Sequence, residues 1–206
     1  MLLGLLEPTR GSATVLGADS RVLRSQDRAR IGYLAESHRL YDWMKVGQCQ
    51  RFQSSFYAAW NRELFHAVLD HFGLSETARV RDLSRGQRAG LCLALTLAPE
   101  PSLLVLDDPA LGLEPVARRS FLESRIYVTR SQGRTVFFSS HLMADVERVA
   151  DHAAILHEGV LRVACPLETF RSRVKSASSC ATKATRPTSR RSRASCTIFA
   201  QPIRFT

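Results

Sequence analysis

The 206-residue sequence has no apolar run long enough to cross a bilayer, and none of its cysteines form a C-x-x-C pair. A membrane-spanning helix needs about 20 mostly apolar residues, so the sequence predicts none. The apolar start MLLGLL lacks both a basic segment and a small-residue cleavage site, so no signal peptide is expected. The five cysteines, at positions 49, 92, 165, 180 and 196, are dispersed. This distribution disfavours a disulfide framework or a zinc site and favours a reducing, cytosolic location.

Acidic residues are absent from position 171 to the end of the chain. This segment contains nine Lys and Arg side chains, so it contributes +9 of the formal net charge of +10 and leaves +1 for residues 1–170. Its Ser, Thr, Ala and Arg content predicts a basic, disordered tail over 171–206. Three interpretations stay open: a solvated extension, an arm that binds nucleic acid or an anionic membrane, or a segment out of frame relative to an ancestral gene. The solvated extension is preferred, because a charge run alone carries little specificity.

Residues 1–170 alternate between short apolar segments and helical patterns. The predicted strands are a short one that ends in a turn within Thr14–Gly17, then Ile31–Leu34, Leu103–Leu106 and Thr135–Ser140. A hairpin follows in HAAILHEGVLRVA and turns at Glu158 and Gly159. The predicted helices are Gly47–Tyr57, Asn61–Phe72, Arg85–Ala98, Pro115–Arg130 and His141–Val149. Because several strands have no polar face, the alternation predicts an α/β domain with a mostly parallel core sheet.

The segment DLSRGQRAG, Asp82–Gly90, opens one of the predicted helices. Ser84 can cap that helix, and Gly86 would let a bulky anion approach the backbone. Since a helix N-terminus exposes unpaired N–H groups and a partial positive charge, this end is suited to a phosphate. An ordinary Ser-capped helix explains the segment equally simply, and taken alone it is the preferred interpretation.

Two carboxylates and a histidine follow predicted strands. Asp107 and Asp108 come directly after LLVL, and His141 follows TVFFSS. Ligands of parallel sheets bind beyond the carboxyl ends of the strands, where one carboxylate can hold Mg²⁺ through water and a second can orient an attacking water. Aspartate is also common in strand-end turns, and a histidine is often only a helix-start residue, so each motif alone has a purely structural alternative.

The order and spacing of these motifs favour one family. Gln87 precedes Asp107 by twenty residues, and His141 follows Asp108 by thirty-three. The chain resembles the nucleotide-binding domain of ATP-binding cassette (ABC) proteins over residues 1–170. LSRGQ is similar to the family signature, LLVLDDP to the Walker B strand, ALGLEP to the D-loop and SSH to the switch-histidine segment. IGYLAE lies at the place of the Q-loop, and HAAILHEGVL resembles the closing hairpin. Four ordered motifs are much more specific than any one of them.

The resemblance implies roles for the site residues. In the family, two such domains pair head to tail and hold two ATP molecules between them, so the signature of one contacts the γ-phosphate bound by the other. The signature residues with this implied role are Ser84, Arg85, Gly86 and Gln87. Asp107 would support Mg²⁺, Asp108 would stand in for the usual catalytic glutamate, and His141 would contact the γ-phosphate.

Two further acidic residues occupy nucleotide-facing motifs in the resemblance. Glu36 stands where the family has the Q-loop glutamine, and Glu114 stands where it has the D-loop aspartate. Both are expected on the nucleotide side of the domain, and the carboxylate of Glu36 could still favour a metal ion.

The resemblance also implies an architecture and partners. The expected fold is a P-loop NTPase-like parallel sheet flanked by helices, with a small helical subdomain at about 37–98. Its aromatic residues are Tyr41, Trp43, Phe52, Phe56, Tyr57 and Trp60. They suit either the docking surface for a membrane-spanning transporter subunit or the core of a few small helices. The implied protein is the ATP-binding subunit of a transporter, peripheral to the cytoplasmic face of the membrane, which pairs with another ABC ATPase domain and does not bind nucleic acid.

One motif of the resembled family does not occur in this sequence. No G-x-x-x-x-G-K-[ST] is present, although the family has this P-loop just upstream of its counterpart of MLLGLLEPT. The P-loop backbone and lysine hold the β- and γ-phosphates. We therefore expect a truncated domain without the P-loop and N-terminal strands, inactive as an ATPase by itself. Two alternatives remain: a non-catalytic half-site that pairs with an intact ABC subunit, and a soluble ABC protein acting on nucleic acid or the ribosome.

Overall fold

The computed structural model describes residues 1–130, 134–172 and 197–198, with the backbone alone for 124–130 and 197–198. The strands are β1 (Thr14–Val15), β2 (Ala18–Asp19), β3 (Ile31–Leu34), β4 (Leu103–Leu106), β5 (Thr135–Phe138), β6 (His152–His157), β7 (Val160–Pro166) and β8 (Thr197–Ile198). The α-helices are α1 (Ser25–Ala29), α2 (Val46–Ser54), α3 (Arg62–His71), α4 (Arg85–Leu97), α5 (Pro115–Arg130) and α6 (Met143–Val149). Short 3₁₀ turns occupy Ser20–Val22 and Val80–Asp82.

The centre of the domain is a three-stranded parallel sheet in the order β3-β4-β5. Alternate side chains of β4 and β5, such as Leu104, Leu106 and Phe138, are buried in the main core, which the helices complete. This arrangement confirms the predicted α/β fold with a parallel sheet. The ladder continues one residue past the strands, since the Asp107 N–H donates to the Leu34 carbonyl at 2.8 Å and the Ser139 N–H to the Leu106 carbonyl at 3.0 Å. The three strands therefore end at the same edge.

Two hairpins flank this sheet. The short strand predicted to end in a turn within Thr14–Gly17 is confirmed: it ends at Val15, and Leu16 and Gly17, with φ of 51° and 83°, turn the chain into β2. The predicted β6/β7 hairpin is confirmed, with Glu158 and Gly159 at φ of 51° and 75°, as expected of a two-residue hairpin turn.

Helices α2, α3 and α4 form the expected helical region between β3 and β4. Buried apolar side chains of α3 and α4, including Phe65, Leu69 and Leu91, join the main core. Helix α2 ends at Ser54 rather than at the predicted Tyr57. The hydroxyl groups of Ser54 and Ser55 donate to the carbonyls of Arg51 and Phe52, and such local bonds compete with helix continuation.

Two further elements follow β7 in the described part of the chain. Residues 167–172 are helical, and β8 pairs antiparallel with β6. The rest of the tail predicted for 171–206 lies outside the described residues. Across the part of the chain that the structure describes, every helix is too short or too polar to span a membrane.

Candidate functional site

A connected set of side chains lies at the edge where the parallel strands end. The Ser139 hydroxyl, just after β5, donates to Asp107 Oδ1 at 2.8 Å and accepts from the Asp108 N–H at 2.8 Å. His141 Nδ1 lies 2.5 Å from Asp108 Oδ2. The structure therefore brings together Asp107, Asp108 and His141, the three residues predicted to carry the chemistry, and adds Ser139 as the group that joins the two aspartates.

The backbone and burial of Asp108 distinguish it from its neighbour. Asp108 has a left-handed backbone, with φ of 35°, a conformation that Asp adopts more readily than most residues. Its side chain is only 17% exposed, whereas the neighbouring Asp107 is an exposed residue. Its Oδ1 atom is buried and has no hydrogen-bond partner among the described residues. A buried carboxylate oxygen without a partner indicates a place for a water or a bound ion.

The donor set at this edge fits a magnesium ion with most of its water shell. Mg²⁺ is usually held by one or two carboxylates and keeps several waters. Asp107 is exposed, and the orphan oxygen of Asp108 lies on the next residue. Among the described residues there is no cluster of three or more His, Cys, Asp or Glu side chains that could hold a metal. The edge is therefore suited to a hydrated ion and not to a fully protein-liganded one.

The predicted signature segment forms the start of α4. The Ser84 Oγ accepts from the Gln87 N–H at 3.2 Å, and the Gln87 Oε1 accepts from the Ser84 N–H at 3.1 Å, which makes a capping box. The Gln87 side-chain amide also donates to the Gly73 carbonyl at 3.3 Å, just beyond α3. Gln87 therefore fixes the helix start and ties it to α3, while Ser84 and Arg85 are exposed.

The same helix end contacts the segment that follows the two aspartates. A Cβ added at Gly86 would lie 2.9 Å from the Ala117 Cβ in α5. The Arg85 guanidinium reaches the loop before α5, with Nη1 3.8 Å from where a Gly112 Cβ would be. Gly86 thus makes room for α5, a role that the sequence argument, which assigned the space to an anion, did not include.

The two remaining predicted residues lie near this edge without a described side-chain bond. Glu36 is exposed in the turn after β3, the strand beside β4. Glu114 is exposed immediately before α5, and its carbonyl accepts from the Arg118 N–H at 2.8 Å. The structure thus places both at loops that leave the sheet edge or lead into α5, and it joins neither to the Asp107–Ser139–Asp108–His141 cluster.

His38 is a residue of this region that the sequence argument missed. Its side chain is buried, its backbone is left-handed with φ of 43°, and its Nε2 has no hydrogen-bond partner among the described residues. Burial lowers the pKa of His38, and a hydrogen bond with the Pro109 backbone raises it in part. His38 therefore connects the turn after Glu36 with the loop after Asp108. A single histidine in a polar turn gives no sequence signal for such a contact.

The predicted aromatic group divides between surface and core. Tyr41, Trp43, Phe52 and Phe56 are between 44% and 67% exposed, and their rings contact one another at centroid distances of 5.2–6.1 Å. Tyr57 and Trp60 are partly buried, and the Trp60 ring packs against Phe65 at 6.0 Å. We call the first four residues the aromatic surface. It borders a cavity of about 420 Å³ that Leu40, Met44, Cys49 and Leu95 also line.

A parallel sheet with acidic strand ends, a histidine on the next strand end and a capped helix contacting the following loop defines a nucleotide-binding α/β domain. A solved structure described as an ATP-binding subunit of an ABC transporter has the same fold. It aligns with a TM-score of 0.72 at 24% identity and covers 84% of this chain and 74% of that one.

The sequence comparisons establish the family. The sequence model described as "ABC transporter" matches residues 1–111, which is more than half of the chain. The chain therefore belongs to the ABC transporter family, as its motifs predicted, and membership of that family implies ATP binding.

Curated relatives carry matching descriptions. An uncharacterised ABC transporter ATP-binding protein of Synechocystis is 33% identical over 168 residues, or 78% of this chain and 47% of the relative. The bacitracin transport ATP-binding protein BcrA of Bacillus licheniformis is 27% identical, covering 84% and 57%. The Nod factor export ATP-binding protein I of Rhizobium leguminosarum is 32% identical, covering 77% and 52%. The chain thus spans about half the length of these relatives.

Proposed function

We propose that this chain is part of the ATP-binding subunit of an ABC transporter and that Asp107, Asp108 and His141 form its catalytic edge. The observation that carries the proposal is the network from Asp107 through Ser139 to Asp108 and His141. It gathers two carboxylates and an imidazole at the end of a parallel sheet, where phosphate-binding α/β proteins place their ligands.

Each residue of the edge has a distinct proposed task. Asp107 is the ligand for a Mg²⁺ ion, which when bound would neutralise phosphate charge. Asp108 orients or deprotonates a water, with its second oxygen held by His141. His141, 43% exposed at its side chain, can present its other ring nitrogen to a terminal phosphate. Because Asp is one methylene shorter than Glu, the water must approach the sheet edge more closely than it would for a glutamate.

The signature segment serves a different nucleotide in this proposal. Ser84 and Arg85 are exposed at the start of α4, where the helix dipole and free N–H groups favour a phosphate. Their exposure supports contact with a nucleotide held by a second ABC ATPase domain, paired head to tail. Gln87 acts indirectly, because its amide already bonds Ser84 and Gly73.

The aromatic surface is the proposed docking site for a membrane-spanning subunit. Four large rings with exposed faces beside an apolar-lined cavity have the composition of an interface core. The relatives described as bacitracin transport and Nod factor export proteins support a transport role. Such docking would hold the domain at the cytoplasmic face of the membrane, and a nucleic-acid partner is not part of the proposal.

The metal-binding part of the proposal can be tested without nucleotide. Mn²⁺, a paramagnetic substitute for Mg²⁺, should broaden the backbone NMR signals of Asp107, Asp108 and Ser139 at low metal ratios. Asp107→Asn should abolish this selective broadening. Asp70→Asn, at an exposed aspartate of α3, is the matched control and should leave it unchanged. Broadening that is spread over all surface carboxylates, or that survives Asp107→Asn, would contradict the assignment.

Turnover gives a second test. The sequence contains no G-x-x-x-x-G-K-[ST] motif, so the 206-residue chain alone should show no measurable ATPase activity. Magnesium-dependent hydrolysis by this chain that Asp107→Asn abolishes would refute that expectation and show that phosphates are held in another way.

A half-site role has its own supporting observation: a fully formed signature helix start in a chain without the P-loop motif. In that case the chain should form an ATP-dependent dimer with a complete ABC ATP-binding subunit, measured by light scattering after size exclusion. Ser84→Arg should prevent the dimer, whereas Ser75→Arg, at an exposed serine after α3, should not. An ATP-independent dimer, or one unaffected by Ser84→Arg, would exclude this role for the signature.

A further inference from the structure

A buried ion pair lies directly behind the loop that carries His141. The Arg118 Nε of α5 donates to both carboxylate oxygens of Asp145 in α6, at 3.0 Å each, and its Nη2 approaches Oδ2 at 2.5 Å. The two side chains are only 19% and 8% exposed. A planar guanidinium that grips both oxygens of a carboxylate fixes orientation as well as distance.

The Ser140 hydroxyl connects Asp145 with the residues on either side of His141. The buried Ser140 hydroxyl lies 3.4 Å from both Asp145 Oδ2 and the Leu142 carbonyl, two acceptors that share its one proton, and it accepts from the Leu142 N–H at 3.1 Å. The loop bonds explain why α6 starts at Met143 and not at the predicted His141. His141 itself is tied to the protein by its bond to Asp108. The backbone of residues 140–142 is therefore held in place by Asp145, which Arg118 of α5 in turn fixes.

We propose that Arg118 and Asp145 are positioning residues that set the His141 ring against Asp108. This inference rests on the proposed function only for the task of His141; the positioning is a property of the unliganded chain. Arg118 is next to Ala117, the residue that packs against Gly86 of the signature segment. Adjacent residues of α5 thus contact the signature segment at Gly86 and, through Asp145, the loop that carries His141. A displacement of one of these two segments can therefore be transmitted to the other through α5.

The simpler explanation is that the ion pair only docks α6 onto α5. The two explanations differ in what Arg118→Met does to His141. Under the proposal, Arg118→Met and Asp145→Asn change the ring chemical shifts of His141. The His71 ring, which contacts Ser120 on the same helix at 2.9 Å, should keep its shifts.

The neighbouring arginine provides a matched control. Arg119 is 64% exposed and lies 3.6 Å from Glu123 in a pair on the helix surface. Arg119→Met removes the same charge from the same helix and should leave the His141 signals unchanged. Unchanged His141 signals in a folded Arg118→Met variant, or equal changes at His71 and His141, would overturn the positioning role.

Ser140→Ala keeps the test decisive if loss of the ion pair prevents folding. It removes the hydroxyl between Asp145 and Leu142 but leaves the Arg118–Asp145 pair in place. The His141 signals should then move in the same direction, and wild-type His141 signals in Ser140→Ala would overturn the proposal. Because the readout needs neither metal nor nucleotide, failure of the Mn²⁺ experiment and failure of this one are distinguishable.

Discussion

Gly90, in the middle of α4, is the position where a single added methyl group has the most predictable cost. A Cβ built there would lie 2.3 Å from Phe72 Cγ and 2.6 and 2.7 Å from its two Cδ atoms. Carbon atoms pack favourably at about 3.5–4.0 Å, so the ring would have to retreat by more than about 1 Å. The retreat is opposed because the Phe72 ring also packs against Phe121 and His71, at centroid distances of 6.3 and 5.0 Å.

The net effect of Gly90→Ala follows from two opposing contributions. Alanine is favoured over glycine within a helix by about 1 kcal/mol, which stabilises the variant. Overpacking a filled core typically costs about 1–3 kcal/mol, and a rigid ring that meets the new atom at three carbons belongs at the upper end. We therefore expect a loss of about 1–2 kcal/mol in the free energy of unfolding, measured by urea denaturation followed by circular dichroism.

Two controls isolate the steric cause. Gly47→Ala in α2 places its Cβ 3.2 Å from a carboxylate oxygen of Glu76, a flexible and half-exposed side chain. It should be neutral or stabilising by up to about 1 kcal/mol. Phe72→Leu should reduce the cost of a second substitution, Gly90→Ala. A Gly90→Ala variant at least as stable as wild type, or a cost unchanged in the Phe72→Leu background, would refute the packing argument.

Three other predictions concern the cap, pH and thiol reactivity. Ser84→Ala should lower the free energy of unfolding by about 1 kcal/mol, because the Ser84 hydroxyl caps α4. Urea denaturation measures the loss, with Ser75→Ala as the control, and an equal loss in the two variants would contradict the prediction. Burial lowers the pKa of His38, so the unfolded state takes up the proton first, and stability falls as pH drops through about 6.5. His38→Asn, compatible with the left-handed backbone, should reduce that fall in urea titrations at about pH 7.5 and 5.5; an unchanged slope would exclude His38 as its source. Burial raises the pKa of Cys92 to about 12 and also raises the pKa of Cys49. Both thiols should therefore react with iodoacetamide at about pH 8 far more slowly than a free thiol does. Labelling of either cysteine at the free-thiol rate would be inconsistent with this burial.

The parts of the site that sequence could predict depend on strand ends and helix caps. Asp107, Asp108 and His141 follow apolar strands, and parallel pairing brings such ends together, so their proximity was predictable. Ser84 and Gln87 have the three-residue spacing of a capping box, although only the structure showed that Gln87 also holds Gly73. These are local rules that a single sequence contains.

The parts that sequence missed depend on tertiary packing. The Arg118–Asp145 pair joins residues 27 positions apart on two helices, and many arginines and aspartates in the chain would have been equally plausible partners. His38 bonds the Pro109 backbone and packs against Phe121, and Gly86 contacts Ala117, in each case across a long stretch of sequence.

The left-handed backbone of Asp108 makes the identity of this residue more than a matter of side-chain length. Short polar side chains tolerate positive φ better than long ones do. Lengthening Asp108 to glutamate would therefore add a conformational cost at the same position where it extends the carboxylate. That cost is modest, because Glu100 and Glu158 of the same chain also have positive φ, at 55° and 51°, so the backbone at position 108 can accept the longer acid.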